Sequence, residues 1–128
     1  YGHGTGHGVG FFMNVHEPPQ GIVSAWNQRG SSELLPGMLT SNEPGFYKEG
    51  SHGIRIENLV LTIAHANDFL AFENVTLFPI DTKLIDRKSF GPDYRKWLND
   101  YHKRCYKKIS PMLDDEQKQW LKEKCSAY

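Results

Sequence analysis

The chain has 128 residues, in which fifteen Lys and Arg balance fifteen Asp and Glu, and its mean hydropathy is −0.58. That length supports one domain with a modest core. The charge balance leaves no electrostatic footprint for nucleic acid or an anionic membrane, and no apolar run is long enough to span a bilayer.

The chain opens on Tyr1 rather than Met, which points to a processed or truncated product. Gly2, Gly4, Gly6, Gly8 and Gly10 rule out a stable helix at the start, since each costs about 1 kcal/mol against alanine there. His3 and His7 therefore do not share a helix face. Fully extended, they lie about 13 Å apart and take different roles. Val9–Val15 reads as a strand with bulk on both faces, hence buried, with His16 and Glu17 at its end and Pro18-Pro19 stopping it. Gln20–Pro36 is a polar loop.

Two extended runs, Glu43–Tyr47 and Gly53–Asn58, flank the polar turn Lys48-Glu49-Gly50-Ser51. Folded about Gly50, the hairpin brings Glu43 opposite Glu57, where side chains sit about 5 Å apart and like charges repel. Such carboxylates share a proton, find cations, bind a metal, or simply point into water. Pro44 and Gly45 interrupt a regular ladder at that point. Gly53–Ala64 is the longest strand and should lie centrally. Arg55 and Glu57 share one of its faces, as a salt bridge or as a ligand steadied by its neighbour. Asn67-Asp68 makes a turn, and Phe69–Leu77 is a further strand of an antiparallel sheet.

From Asp81 the character is helical. Gly91-Pro92-Asp93 starts a helix, with Tyr94, Trp97, Leu98, Tyr101, Cys105 and Ile109 as its apolar stripe and His102 facing away into solvent. Ser110-Pro111 opens a second helix, whose Met112, Leu113, Trp120, Leu121 and Cys125 face the first. Cys105 and Cys125 are too few for a disulfide scaffold and read as reduced thiols, with one intramolecular disulfide open. His52 and His65 read as solvent-exposed. The organisation expected is α+β: residues 1–80 an antiparallel sheet, residues 81–128 a helical extension.

His3–Gly10 (HGTGHGVG), Val15-His16-Glu17, Asn42–Gly45 (NEPG) and Gly53–Asn58 (GIRIEN), in this order, resemble the metallopeptidase family of the pita-bread (creatinase/aminopeptidase) fold. That family includes methionine aminopeptidase, prolidase and aminopeptidase P. The tail, through Trp97-Leu98-Asn99 and Trp120-Leu121, is similar to the C-terminal extension of the cytosolic eukaryotic aminopeptidase P branch. The resemblance implies the C-terminal portion of a pita-bread catalytic domain followed by that extension. It implies a pair of divalent ions, manganese for preference, held by two aspartates, one histidine and two glutamates. His7, Glu43 and Glu57 match the histidine and the glutamates. His3 and His16 match substrate-contacting histidines, Glu43 the group that takes a proton, and Tyr47 and Arg55 the groups that orient the ligands.

In the family the two aspartates lie upstream, and Asp68, Asp81 and Asp86 are wrongly placed to replace them. Pro18 stands where the family has glycine. The activity implied is hydrolysis of an N-terminal Xaa-Pro bond in the cytoplasm, with peptides bearing proline second as substrates. The chain by itself is expected to be inactive, with a partial or empty site, and to need the missing N-terminal part of the same protein. The alternatives are a prolidase-type dipeptidase and a non-catalytic peptide-binding module, or one that forms a homodimer through the C-terminal region. No nucleic-acid or membrane partner is expected.

Overall fold

The computed structural model describes residues 2–12 and 14–128, in two compact units, Tyr1–Thr76 and Leu77–Tyr128. The first carries strands β1 (Gly6–His7), β2 (Gly21–Ile22), β3 (Leu39–Asn42), β4 (Gly45–Lys48), β5 (His52–Arg55), β6 (Asn58–Ala64) and β7 (Leu70–Asn74). All pairings are antiparallel. β6 lies between β3 and β7, β1 pairs with β2, and β4 with β5.

The β3–β6 and β4–β5 ladders are two halves of the hairpin expected about Gly50. Asn42 pairs with Asn58 in one and Gly45 with Arg55 in the other. Equal numbers of residues leave each strand at the break, so one register runs through both halves. The break falls at Glu43-Pro44 and Ile56-Glu57. Pro44 has no N–H to give a ladder, and the Glu43 N–H turns to the Thr5 carbonyl at 2.7 Å. The single strand expected over Gly53–Ala64 is thus two strands, of which β6 takes the central place. Its surroundings are rich in hydroxyls: Thr40, Ser41 and Thr62 are fully buried, with Val60 almost so.

The strand expected over Val9–Val15 does not form among the described residues, and Met13 lies outside them. The Gly10 N–H donates to the Asn14 carbonyl and the Glu17 N–H to the Gly8 carbonyl, each at 2.8 Å. These local bonds turn the chain back, and Phe11 and Phe12 stand 90% and 83% exposed. Apolar bulk on both faces signals burial only where a ladder exists to hold the strand, and here the backbone groups are spent within the loop.

The second unit holds α1 (Pro92–Ile109) and α2 (Asp115–Lys124). Pro92 occupies the first turn of α1 after Gly91, as its fixed φ and missing N–H favour. The buried side chains are Leu98, Tyr101, His102 and Cys105, the spacing of one helix face. His102, expected in solvent, is fully buried. Four residues beyond Leu98, it lies only about 40° round the helix from it. Trp97, stacked on Tyr101 with ring centroids 5.6 Å apart, marks the half-exposed border of the stripe.

The second helix starts later than expected. Ser110-Pro111 supports only a 3-10 turn, Ser110–Met112, and Met112 is exposed rather than turned toward α1. The true start is Asp114, whose carboxylate accepts the Gln117 N–H at 2.8 Å while the Gln117 side chain accepts the Asp114 N–H at 3.4 Å, a capping box. Leu121 is the buried residue of α2, and Cys105 and Cys125 are free thiols. Asp114→Ala removes the carboxylate that accepts the Gln117 N–H and is expected to cost about 1 kcal/mol, read as a lowered denaturation midpoint. Asp114→Asn, which caps as well, should stay near the parent.

Candidate functional site

β1 carries the first site residue and reaches β3 by side-chain as well as backbone bonds. The His7 N–H donates to Ser41 Oγ at 3.0 Å, and the Val9 N–H donates to the Leu39 carbonyl at 3.0 Å. Backbone crowds both flanks of His7, β3 against Gly6 and the Glu17 segment against Gly8, and leaves no room for side chains there. A Cβ on Gly6 would collide with the Ser41 carbonyl oxygen, and one on Gly8 with the Glu17 carbonyl oxygen. The glycines of HGTGHGVG thus permit two backbones to touch, which fixes where the imidazole emerges.

The break in the long hairpin supplies the second group. With its N–H tied to Thr5, Glu43 leaves the ladder on the side of β1, and its Oε1 lies 3.1 Å from His7 Nε2. Ser41 Oγ donates to the same oxygen at 3.0 Å. Glu43 Oε2 meets an Arg55 guanidinium nitrogen at 2.9 Å, and that nitrogen lies 3.9 Å from Glu57 Oε2. Arg55 therefore stands between the two glutamates. Its Nε donates to the Tyr47 hydroxyl at 2.8 Å. That bond first, and the two carboxylates after it, hold the guanidinium more firmly protonated than usual.

The imidazole of His7 is oriented from behind. Its Nδ1 faces the Gly8 carbonyl at 3.0 Å. A neutral ring donating there presents a bare Nε2 lone pair to the Glu43 carboxylate. Two acceptors 3.1 Å apart need a cation between them, either a proton or a metal ion. A backbone carbonyl behind one ring nitrogen is also the usual support of a metal-ligating histidine.

His16 brings its ring to 4.2 Å from that of His7 and is itself exposed. His3 lies edge-on to Tyr47 at 5.3 Å, with Nε2 3.2 Å from the Gly45 carbonyl. Glu57 joins the group less closely, through Arg55 and through a cavity of about 300 Å3 that it lines with His7, Val9, Asn14, Val15 and Leu59. Among the described residues no three His, Cys, Asp or Glu side chains are gathered as a group able to hold an ion. The chain brings His7 and Glu43 into contact and Glu57 to the edge of the same cavity. The donor types, one imidazole and two carboxylates, suit hard divalent ions.

Ser41 escaped the sequence reading. It is a buried hydroxyl that binds both Glu43 and the His7 backbone. Its only signal was a small polar residue two positions before Glu43, on the same strand face.

Residues 1–64 match the model of metallopeptidase family M24, and residues 68–128 that of the C-terminal region of peptidase M24. The chain belongs to metallopeptidase family M24. Among its relatives, a probable Xaa-Pro aminopeptidase P of Coprinopsis cinerea is 48% identical over 95% of this chain and 21% of its own length. Aminopeptidase P2 of Arabidopsis thaliana is 42% identical over 94% of this chain and 18% of its own. The crystal structure of X-prolyl aminopeptidase from Caenorhabditis elegans, described as a cytosolic enzyme with a di-nuclear active site, superposes with a TM-score of 0.86. It is 38% identical, over 98% of this chain and 22% of that one. The fold is thus that of the C-terminal part of a pita-bread enzyme, and the chain spans about a fifth of the length of the relatives it matches.

Proposed function

We propose that this chain forms part of an aminopeptidase P, which removes an N-terminal residue that precedes proline. The observation that carries the reading is the approach of His7 Nε2 to Glu43 Oε1 at 3.1 Å, an imidazole nitrogen and a carboxylate oxygen placed to share a cation. His7, Glu43 and Glu57 are its metal ligands for two divalent ions, manganese for preference as the family resemblance implies, and the carboxylate-rich donor set suits such hard ions. When bound, such ions lower the pKa of water enough to supply hydroxide near neutral pH.

The chain's own side chains do the rest. Glu43, with one oxygen held by Arg55 and the other by Ser41, is positioned to take a proton at Oε1. His16, exposed beside His7, donates to the oxyanion that forms on the scissile carbonyl. His3, against Tyr47, contacts the substrate. Tyr47 and Arg55 fix the glutamates through the bonds described above. Three of the five ligands that the family pattern calls for are present. Full hydrolysis therefore needs the two aspartates that the 128 residues do not place with them, and the chain by itself is expected to be inactive. The described residues include no helix long and apolar enough to cross a membrane, and the relative described as cytosolic supports a cytoplasmic location.

The whole enzyme is expected to cleave a tripeptide with proline in second place. It should lose that activity to a chelator and regain it with manganese. Hydrolysis of Xaa-Pro dipeptides with no action on the tripeptide would instead indicate a prolidase. Cleavage that survives exhaustive chelation would remove the metal reading.

A further inference from the structure

The charge balance of the whole chain conceals a division. Residues 77–128 contain twelve Lys and Arg against eight Asp and Glu, and residues 1–76 contain three against seven. Much of the positive excess gathers at one place, a cavity of about 560 Å3 at the start of α1. Arg87 and Lys88 reach it from the preceding loop, Arg95 and Lys96 from the first turns of the helix, and Lys103 from the fourth. Asp100 is the only acid in the lining. Its carboxylate is already engaged by Lys96, and Lys103 stands 3.8 Å away.

The other cations differ in how far they are committed. The Arg87 guanidinium lies 4.7 Å over the Tyr128 ring, a contact that fixes its direction and leaves its charge unneutralised. Lys88 and Arg95 have no side-chain partner among the described residues. Asp86, in the preceding loop and outside the lining, accepts the Lys88 backbone N–H and the Ser89 hydroxyl. Asp93 sits in the first turn outside the lining. Gly91, which does line the cavity, precedes the helix without a side-chain cap, so first-turn N–H groups add to the positive end.

Five cations around one satisfied acid repel one another unless an anion joins them. The volume falls within the range of small-ligand sites, and guanidinium and ammonium groups together are the usual means of gripping phosphate oxygens. We propose that this cavity binds a small polyvalent phosphate, with Lys88 and Arg95 as its main contacts and Arg87 and Lys96 closing the rim. The site does not depend on the metallopeptidase reading, since none of its residues belongs to the candidate metal site.

Calorimetric titration of the whole protein that carries this chain with inorganic tripolyphosphate at low salt tests this. Saturable binding is expected, and Lys88→Glu with Arg95→Glu should weaken it by about tenfold or more. Lys118→Glu with Lys122→Glu makes the same change in net charge at residues outside the lining and should alter it by less than about twofold. Lys88→Gln with Arg95→Gln provides a milder pair should the reversed charges disturb folding, which circular dichroism reads directly. Adenosine triphosphate, run in parallel, separates the sources of such a group. Equal affinity identifies a bare polyphosphate and tighter binding a nucleotide, and both uphold the site. No saturable binding of tripolyphosphate, an equal loss in the control pair, or binding of single-stranded RNA without tripolyphosphate would overturn it.

Discussion

Glu43→Gln in the whole enzyme is expected to lower kcat/KM for a Xaa-Pro tripeptide by on the order of 10³-fold, with the folded structure intact. The reason lies in how the carboxylate is shared. Oε1 faces the His7 nitrogen and the Ser41 hydroxyl, and Oε2 faces Arg55. A glutamine of the same shape has one acceptor and one donor. Its oxygen turned to Arg55 puts an NH2 group against His7 and Ser41, and the reverse puts that NH2 against a guanidinium. Either way the negative charge that a shared ion requires is gone, and so is the group proposed to take the proton. Far-ultraviolet circular dichroism should be unchanged, because Glu43 is held in place by its backbone bond to Thr5 as well as by its side chain. Metal content should fall together with activity. Glu33→Gln is the matched control, since that carboxylate is exposed and neither lines the cavity nor bonds any of these groups. Arg55→Gln should cost less, about 10- to 100-fold, as supporting groups do. A Glu43→Gln enzyme within tenfold of the parent would remove Glu43 from both roles.

The register that sets Glu43 and Glu57 in the same break of the hairpin was readable because it follows from counting residues about one turn. Gly50 fixes the count, and both ladders keep it. What counting could not supply was the direction in which Glu43 leaves the ladder. That depends on the Thr5 carbonyl, thirty-eight positions earlier, and on the glycines that let β1 approach. Arg55 illustrates the same limit. Its place on one face with Glu57 was legible, but its closer grip on Glu43 comes from the cross-strand partner. The Val9–Val15 strand failed for a related reason. Side-chain alternation describes what a strand would bury, whereas the backbone bonds of Gly8, Gly10 and Glu17 decide whether one exists. The identity of the family was legible from the order of short motifs, each of which is a set of contacts already made.

The second large effect concerns His102, expected in solvent although its helical spacing from Leu98 sets it on the buried face. It is fully buried on α1, where Nε2 accepts the Ile80 N–H at 3.1 Å. Nδ1 completes no well-formed hydrogen bond, though the Ser126 backbone lies close enough to interact with the ring. Burial is the main cause that pushes its pKa below the ordinary 6.5, and a ring accepting at Nε2 has to be neutral there to do so. Because the folded value is depressed, the unfolded chain binds the proton first as pH falls. The neutral ring's contribution is complete above about pH 6.5 and is lost progressively as pH drops toward the folded value. Within that window the denaturation free energy of the second unit should fall by up to about 1.4 kcal/mol per pH unit from this one group. Urea titrations at neutral and mildly acidic pH, followed by the fluorescence of Trp97 and Trp120, measure it. His102→Ala leaves both a cavity and an unanswered Ile80 N–H, and should cost about 2–4 kcal/mol at neutral pH. The decisive comparison is His102→Gln, whose side-chain oxygen can accept from Ile80 and does not titrate. It should retain more stability than alanine and flatten the acid dependence. A wild-type slope that persists in His102→Gln would assign the acid sensitivity to the carboxylates of the unit, with Asp86 and Asp100, both held below the usual carboxylate range by their hydrogen-bond partners, the next groups to replace.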